Sequence, residues 1–296
     1  MSSDASASVP ASGHPEIAIA AVVFSLNEAS LLPACLERLS DFPQLIVCDM
    51  HSEDETVEVA QKYGATVVEV PRVPIAEQVR QFGLDAAKTP WVLMVDADEY
   101  VPEGFYGRLV DYLAEHPELA AVSLRYDNLS FGRHVPHSLA NSRKYALVRT
   151  SATRYPSTES RPHQHPRFDG EVADAPDDIP EIVHDNFRTV DQSLEKMLRY
   201  GRNSNGEVEL LASPFAVPRL FVRGLIFSGS WRDGRAGLVL TMLNLMGRLY
   251  GAALAWERAG YPDSGWSKAQ TRTLRMVTGT QRRLVRARDF VLRRSR

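Results

Sequence analysis

Cysteine is almost missing from this chain: Cys35 and Cys48 are its two thiols in 296 residues. That number excludes a disulfide scaffold, and both read as small buried hydrophobes in a reducing compartment. Net charge is scant too, 34 Lys and Arg against 37 Asp and Glu leaving −3, which excludes a polycation built to coat nucleic acid. Residues 1–16 are mostly Ser, Ala, Pro and Gly in no pattern, without a basic start or an apolar run. They read as a disordered leader of a cytosolic protein rather than a secretion signal. Internal repeats and low-complexity bias are absent as well.

What is present is alternation. Ile17 to Phe24 (IAIAAVVF) has the length and composition of a strand buried on both faces. Ser25-Leu26-Asn27-Glu28 then opens a helical pattern with Leu31, Leu32, Cys35, Leu36 and Leu39 on one face. Leu45 to Cys48 is a second short strand ending at Asp49, and Ser52 with Glu55 predicts a capping box for the next helix. Thr66 to Val70, Ile75 to Ala87 and Trp91 to Val95 continue the series as strand, helix and strand. Short connections between such elements predict parallel strands with right-handed crossovers. Ligands of such sheets collect at the carboxyl ends of the strands. Here those ends carry Asn27-Glu28, Asp49 and the Asp96/Asp98 pair.

Beyond Asp98 the pattern loosens. A helix over about Phe105 to Glu115 and strands near Ala120 to Tyr126 and Tyr145 to Arg149 are legible in a loop-rich stretch, residues 127–180. A loop region this long is usually functional. A helix follows from Ser193 to about Arg202, then an apolar one from Gly237 to Ala259 with Thr241, Asn244 and Arg248 on one face. That polar stripe favours an interfacial or core helix over a membrane span. From Lys268 to Arg296 the chain carries +9, leaving −12 for the rest. This basic tail, with Leu274, Val277, Leu284 and Val291 along one side, suits an anionic membrane surface. The other reading is a solvated helix folded against the acidic body.

Two carboxylates leaving a strand end on one loop, as Asp96 and Asp98 do, suit a hard divalent cation completed by substrate phosphates. Asp49 could accept hydrogen bonds from a base or ribose, or simply approach the next helix. Arg80 could pair with a phosphate or with a neighbouring carboxylate. His163 and His165 are further possible ligands, or solvent-facing loop histidines.

The succession FSLNE, CDMHSEDET, KYGATVVEV and EQVRQFGLDAAKTPWVLMVDADE resembles family 2 of the inverting glycosyltransferases. Their nucleotide-sugar-binding fold is GT-A, and the likeness is nearest the lipopolysaccharide-core β-glucosyltransferase type. That group shows N-E after the first strand, D-S-x-S-x-D-x-T after the second, R-N before the fourth, and D-x-D-E. The resemblance is strong over residues 17–105 and looser through Leu194–Tyr200 and FVRGLIFSGSWRDGRAGL. It implies an α/β, Rossmann-like and mostly parallel sheet with helices on both faces, plus a helical carboxyl-terminal extension. The implied organisation is a catalytic domain over 17–205, with a nucleotide-binding half (17–105) and an acceptor half (106–205), then a helical region over 206–296.

By position, the resemblance implies nucleotide contacts from Ser25, Asn27, Glu28, Asp49 and Asp96, a metal role for Asp98, and His184 completing the metal or diphosphate site. Asp174 takes the place of the general base in Gly170-Glu171-Val172-Ala173-Asp174, with Glu171 as rival. Arg199 or Arg202 would face the leaving diphosphate. The chain departs from the pattern at Met50-His51, at Gln81 where Asn is usual, and at Ala173 where His is expected. The expected parts are a divalent cation (Mn²⁺ or Mg²⁺), a UDP-sugar donor with UDP-glucose favoured, and a glycolipid or cell-envelope glycan acceptor. The expected location is cytoplasmic, peripheral on the inner face of the plasma membrane through the tail, with no nucleic acid partner. Two other readings stand beside this one. A sugar-phosphate nucleotidyltransferase normally begins with a Gly-rich loop, which FSLNEAS lacks. An inactive GT-A-like nucleotide-binding or membrane scaffold protein is the other.

Overall fold

In the computed structural model the apolar run at the amino end becomes β1 (Ile19–Ser25), buried along its whole length. The structure describes residues 17–73, 76–138, 143–156, 166–204, 210–211, 213–262, 267–268, 270–276 and 278. The leader (1–16), His163, His165, Val277 and the tail from residue 279 lie outside the described residues.

β1 pairs in parallel with β2 (Gln44–Asp49) on one side and β4 (Trp91–Asp96) on the other, and β3 (Thr66–Glu69) extends the sheet beyond β2. The alternating side chains of β1 feed two cores. Ile19, Ala21 and Val23 pack with Leu32, Cys35 and Leu36 of α1 (Leu32–Arg38), Ala60 of α2 (Thr56–Lys62) and Phe105, Leu109 and Leu113 of α4 (Phe105–Glu115). Ala20, Val22 and Phe24 pack with Leu84 of α3 (Arg80–Ala86). Helices therefore cover both faces, as expected. Gly83 lets α3 lie close on the sheet, for a Cβ there would meet Val22 Cγ1 at 2.4 Å. That contact brings Arg80, at the start of α3, near the strand ends.

The second half of the sheet differs from the expected parallel pattern. β5 (Glu99–Tyr100), β6 (Leu119–Ser130), β7 (Arg133–His134), β8 (Arg143–Arg149), β11 (Glu171–Asp174) and β12 (Ile182–Phe187) join the first four strands. The order is β3-β2-β1-β4-β8-β6-β12-β5, with β7 and β11 also on β6. β8 runs antiparallel to β4 and β6, and β12 antiparallel to β5, so the sheet is mixed. β9 (Thr153–Arg154) and β10 (Arg167–Phe168) pair apart from it.

The chain divides into two compact units, residues 1–134 with 139–186, and residues 135–138 with 187–296. The second unit contains α5 (Val190–Asn203), α6 (Ala216–Val222) and α7 (Gly234–Arg258). The sequence reading grouped α5 with residues 17–205; in the structure it packs on α7. A Cβ on Gly201 would lie 2.2 Å from Gly247 O, and one on Gly251 2.7 Å from Gly201 O. Two helix backbones touch there, so three glycines are required. Asp233 accepts from the amides of His137 and Ser138, tying residues 135–138 to this unit. By length and composition alone, Ser230–Arg258 is apolar enough to cross a membrane, with a mean hydropathy of 1.4. Its expected polar stripe is broken: Thr241 is buried, its hydroxyl donating to Gly237 O over 2.8 Å.

Candidate active site

The register of the parallel strands sets Asp49 opposite Ser25, and Asp96 opposite Phe24. Asp49 and Asp96 thus flank the end of β1 at one rim of the sheet. Asp49 is 2% exposed and accepts from the amide and hydroxyl of Ser52. The predicted capping box does not form. Ser52 is taken up by Asp49 and by the amide of Asn27 (2.9 Å), while Asp54 accepts from the amide and hydroxyl of Thr56 at the start of α2. Asp54 and Thr56 stand at the D-x-T of the quoted D-S-x-S-x-D-x-T pattern, and Asp54 makes an Asx-type turn with Thr56.

The two loops are laced together. Asn27, with φ +57°, accepts from the amide of Glu53 at 2.7 Å. The amide of Glu28 donates to Thr56 Oγ1 at 2.9 Å, and that of Ala29 to Asp54 at 3.1 Å. The Asn27 side chain is therefore spent on holding the loop. Ser25 is buried, and its hydroxyl has no hydrogen-bond partner among the described residues.

A charged cluster surrounds Asp96. Its carboxylate lies 3.9 Å from Arg80 and 3.4 Å from Lys144, and its amide donates to Glu99 Oε2 at 3.1 Å. Arg80 thus pairs with a carboxylate here, one of its two expected partners. Lys144 also pairs with Glu99 and stands 4.5 Å over the Tyr126 ring. Burial raises the Glu99 carboxyl above its ordinary range, and Asp96 pushes the same way. Burial alone would lower the Lys144 ammonium, but Glu99 and Asp96 outweigh it and hold the group above the usual lysine range. A cation wedged between two carboxylates fixes both. Glu99 was visible only as the last letter of D-x-D-E. Lys144 had no local signal, since β8 brings it from 45 residues away.

Asp98 sits one turn on. Its carbonyl accepts from the amide of Asp185 at 2.9 Å, and His184 is the register partner of Glu99. These backbone links set Asp98 Oδ1 3.6 Å from His184 Nε2. His184 Nδ1 lies 3.0 Å from Asn128 Oδ1, so with that oxygen accepting, Nε2 turns a lone pair toward the carboxylate. Two facing lone pairs repel unless a proton or cation lies between them, so this donor pair fits an oxygen- and nitrogen-binding divalent ion. Among the described residues no group of three or more His, Cys, Asp or Glu is arranged to hold an ion. An open pair whose remaining positions fall to other ligands suits a cation shared with a substrate, not a closed structural centre.

The expected base and its rival stand on β11. Asp174, beside Ser123 of β6, is 67% exposed at its side chain and pairs with Arg143 at 3.5 Å. Arg143 and Lys144 are consecutive on a strand, so their side chains leave opposite faces. Glu171 is exposed at the start of β11. Arg199 and Arg202 lie in the second unit, Arg202 donating to the Tyr250 hydroxyl at 3.4 Å. Gln81 accepts from the amide of Tyr155 at 2.8 Å and donates to Asp85.

Residues 20–168, just over half of the chain, match the family model described as Glycosyl transferase family 2. The chain is similar to the lipopolysaccharide core biosynthesis glycosyltransferase LpsC of Rhizobium meliloti, 25% identical over 258 residues, covering 82% of this chain and 94% of that one. It is also 36% identical over 102 residues to an uncharacterized glycosyltransferase of Mycobacterium bovis, covering 34% of this chain and 46% of the relative. Of solved structures, S. aureus TarS 1–349 in complex with UDP aligns over 82% of this chain and 92% of its own, at 15% identity and a TM-score of 0.46. Glucosyl-3-phosphoglycerate synthase from Mycobacterium tuberculosis, in complex with Mn²⁺ and UDP-glucose, aligns over 38% of this chain and 44% of its own, at 26% identity and a TM-score of 0.34.

Proposed function

Because this chain belongs to glycosyltransferase family 2 and carries a GT-A fold, we propose that it moves a hexose from a UDP-sugar to a hydroxyl of a glycolipid or cell-envelope glycan, with inversion. The observation that carries the reading is the shared rim: Asp49 and Asp96 flank the end of β1, and Asp98 with His184 stands on the next turn. Asp49, Asp96 and the Ser25–Glu28 loop hold the nucleoside in this reading, and Arg80, which pairs with Asp96, meets a phosphate. Asp98 and His184 hold a divalent cation, Mn²⁺ or Mg²⁺, which when bound supplies positive charge to the departing diphosphate.

In the transfer the acceptor oxygen bonds to the anomeric carbon, the bond from that carbon to the diphosphate oxygen breaks, and a carboxylate takes the hydroxyl proton. Asp174 is the proposed base and Glu171 its rival. UDP-glucose is the favoured donor from the sequence resemblance. A lipopolysaccharide-type acceptor is supported by the name of the Rhizobium relative. The basic tail supports a cytoplasmic enzyme peripheral on the inner face of the membrane.

Release of nucleoside diphosphate from a panel of nucleotide sugars, with and without Mn²⁺ or Mg²⁺, tests the reading. Metal-dependent release from UDP-glucose is expected. Tight binding of UDP with no turnover of any donor and acceptor would favour a nucleotide-binding scaffold instead.

A further inference from the structure

The second unit carries a helical hairpin that meets solvent with its apolar side chains. α6 continues through a wide turn, Arg223–Phe227, and the chain reverses at Gly229 (φ +84°) into a short 3-10 turn, Ser230–Asp233, before α7. The arms touch closely, since a Cβ on Gly224 would stand 3.1 Å from Thr241 Cγ2. At the reversal Ile226, Phe227 and Trp231 are 54%, 82% and 58% exposed, more than an isolated surface hydrophobe needs. Val222, Leu238, Met242 and Met246 are exposed along the arms.

Charge around this tip is mostly positive. Between residues 214 and 256 the sequence holds five arginines and a single acid, Asp233. Asp233 is engaged internally, its carboxylate accepting from the amides of His137 and Ser138 and from the Ser138 hydroxyl. Arg219, Arg223, Arg232 and Arg235 are all exposed beside the apolar side chains. Aromatic side chains flanked by arginine are the composition of a membrane–water interface, where rings sit at headgroup level and guanidinium groups meet phosphate.

We infer that the hairpin tip, with Ile226, Phe227 and Trp231 at its apex and Arg223, Arg232 and Arg235 around it, docks the protein on an anionic phospholipid bilayer. This segment is separate in sequence from the basic tail. It rests on the proposed function only in that a lipid-linked acceptor would be met there; binding to lipid does not require turnover.

The test is co-sedimentation of the full chain with phosphatidylcholine vesicles, with and without phosphatidylglycerol. Wild type should bind the anionic vesicles and come off in high salt. F227S/W231S should bind at least about tenfold more weakly, the loss of two apolar anchors. R223E/R235E, which keeps the anchors, should lose a similar factor, roughly tenfold or more, on anionic vesicles alone. Both variants should keep the circular dichroism spectrum and the donor turnover of wild type in detergent-free solution without vesicles. Four results would overturn the inference: no binding by wild type, full binding by both variants, binding that survives high salt and alkaline extraction (a spanning α7), or loss only on removal of residues 268–296 (the tail). Self-association that disappears in F227S/W231S, without any vesicle binding, would also overturn it. Vesicle binding with no donor turnover would leave the inference standing and count against the glycosyltransferase reading.

Discussion

Asp98 and Asp174 are both carboxylates, but their surroundings differ. Asp98 faces an imidazole nitrogen at 3.6 Å, whereas Asp174 is exposed and steadied by Arg143. Asp98→Ala should lower transfer by about a hundredfold or more, the scale of losing a cation's charge at the leaving group. Asp174→Ala should leave donor binding intact and stop transfer, read as unchanged UDP affinity with lost product formation. Lost donor affinity in the Asp174 variant would reassign that residue. Lys144 poses a different question, because it was invisible in the sequence. Lys144→Met strands the buried Glu99 without its cation and should cost about 3–5 kcal/mol in urea denaturation. Adding Glu99→Gln should recover part of that loss, since the amide oxygen can still accept from the Asp96 amide. A Lys144→Met protein as stable as wild type would show that the pair does not hold the rim together.

At the scale of elements, the α5–α7 contact and β2 each make a prediction. Gly201→Ala places a methyl 2.2 Å from a backbone oxygen, so the helices must part, at a cost of about 1–3 kcal/mol or more in thermal unfolding. Gly107→Ala, on the exposed face of α4 with nothing within 4 Å of the added carbon, should instead stabilise by about 0.5–1 kcal/mol. Burial pushes the Cys48 thiol on β2 up to about 12 and raises Cys35 as well. An unfolded thiol ionises near ~8.5. Between these values the folded chain binds more protons than the unfolded one, so stability falls as pH rises through that window. A C35A/C48A variant should show a shallower alkaline slope. The first four strands and their helices were legible because each carries its own period and each buried run is bounded by polar residues. The capping box was misread because Ser52 and its amide were claimed by Asp49 from the preceding strand. The antiparallel second half was not legible, since which strand lies beside β4 is decided by long-range pairing. No local pattern records that choice.

For the whole molecule, the sequence placed acidic residues at successive strand ends and the sheet turned those separate ends into one rim. Asp49 and Asp96 were readable as strand-end carboxylates. Their closeness depends on β1 lying between β2 and β4, a consequence of topology. His184 entered through the family resemblance, and the antiparallel pairing of β12 with β5 is what delivers it to Asp98. Family membership fixes the reaction class, while residues 127–180 have no code comparable to the strand pattern. The most direct measurement is calorimetric titration of UDP into the full chain with and without Mn²⁺, repeated on Asp98→Asn. Binding that needs the metal in wild type and is lost in the variant is the predicted result. UDP binding of equal strength without metal and in Asp98→Asn would contradict the account.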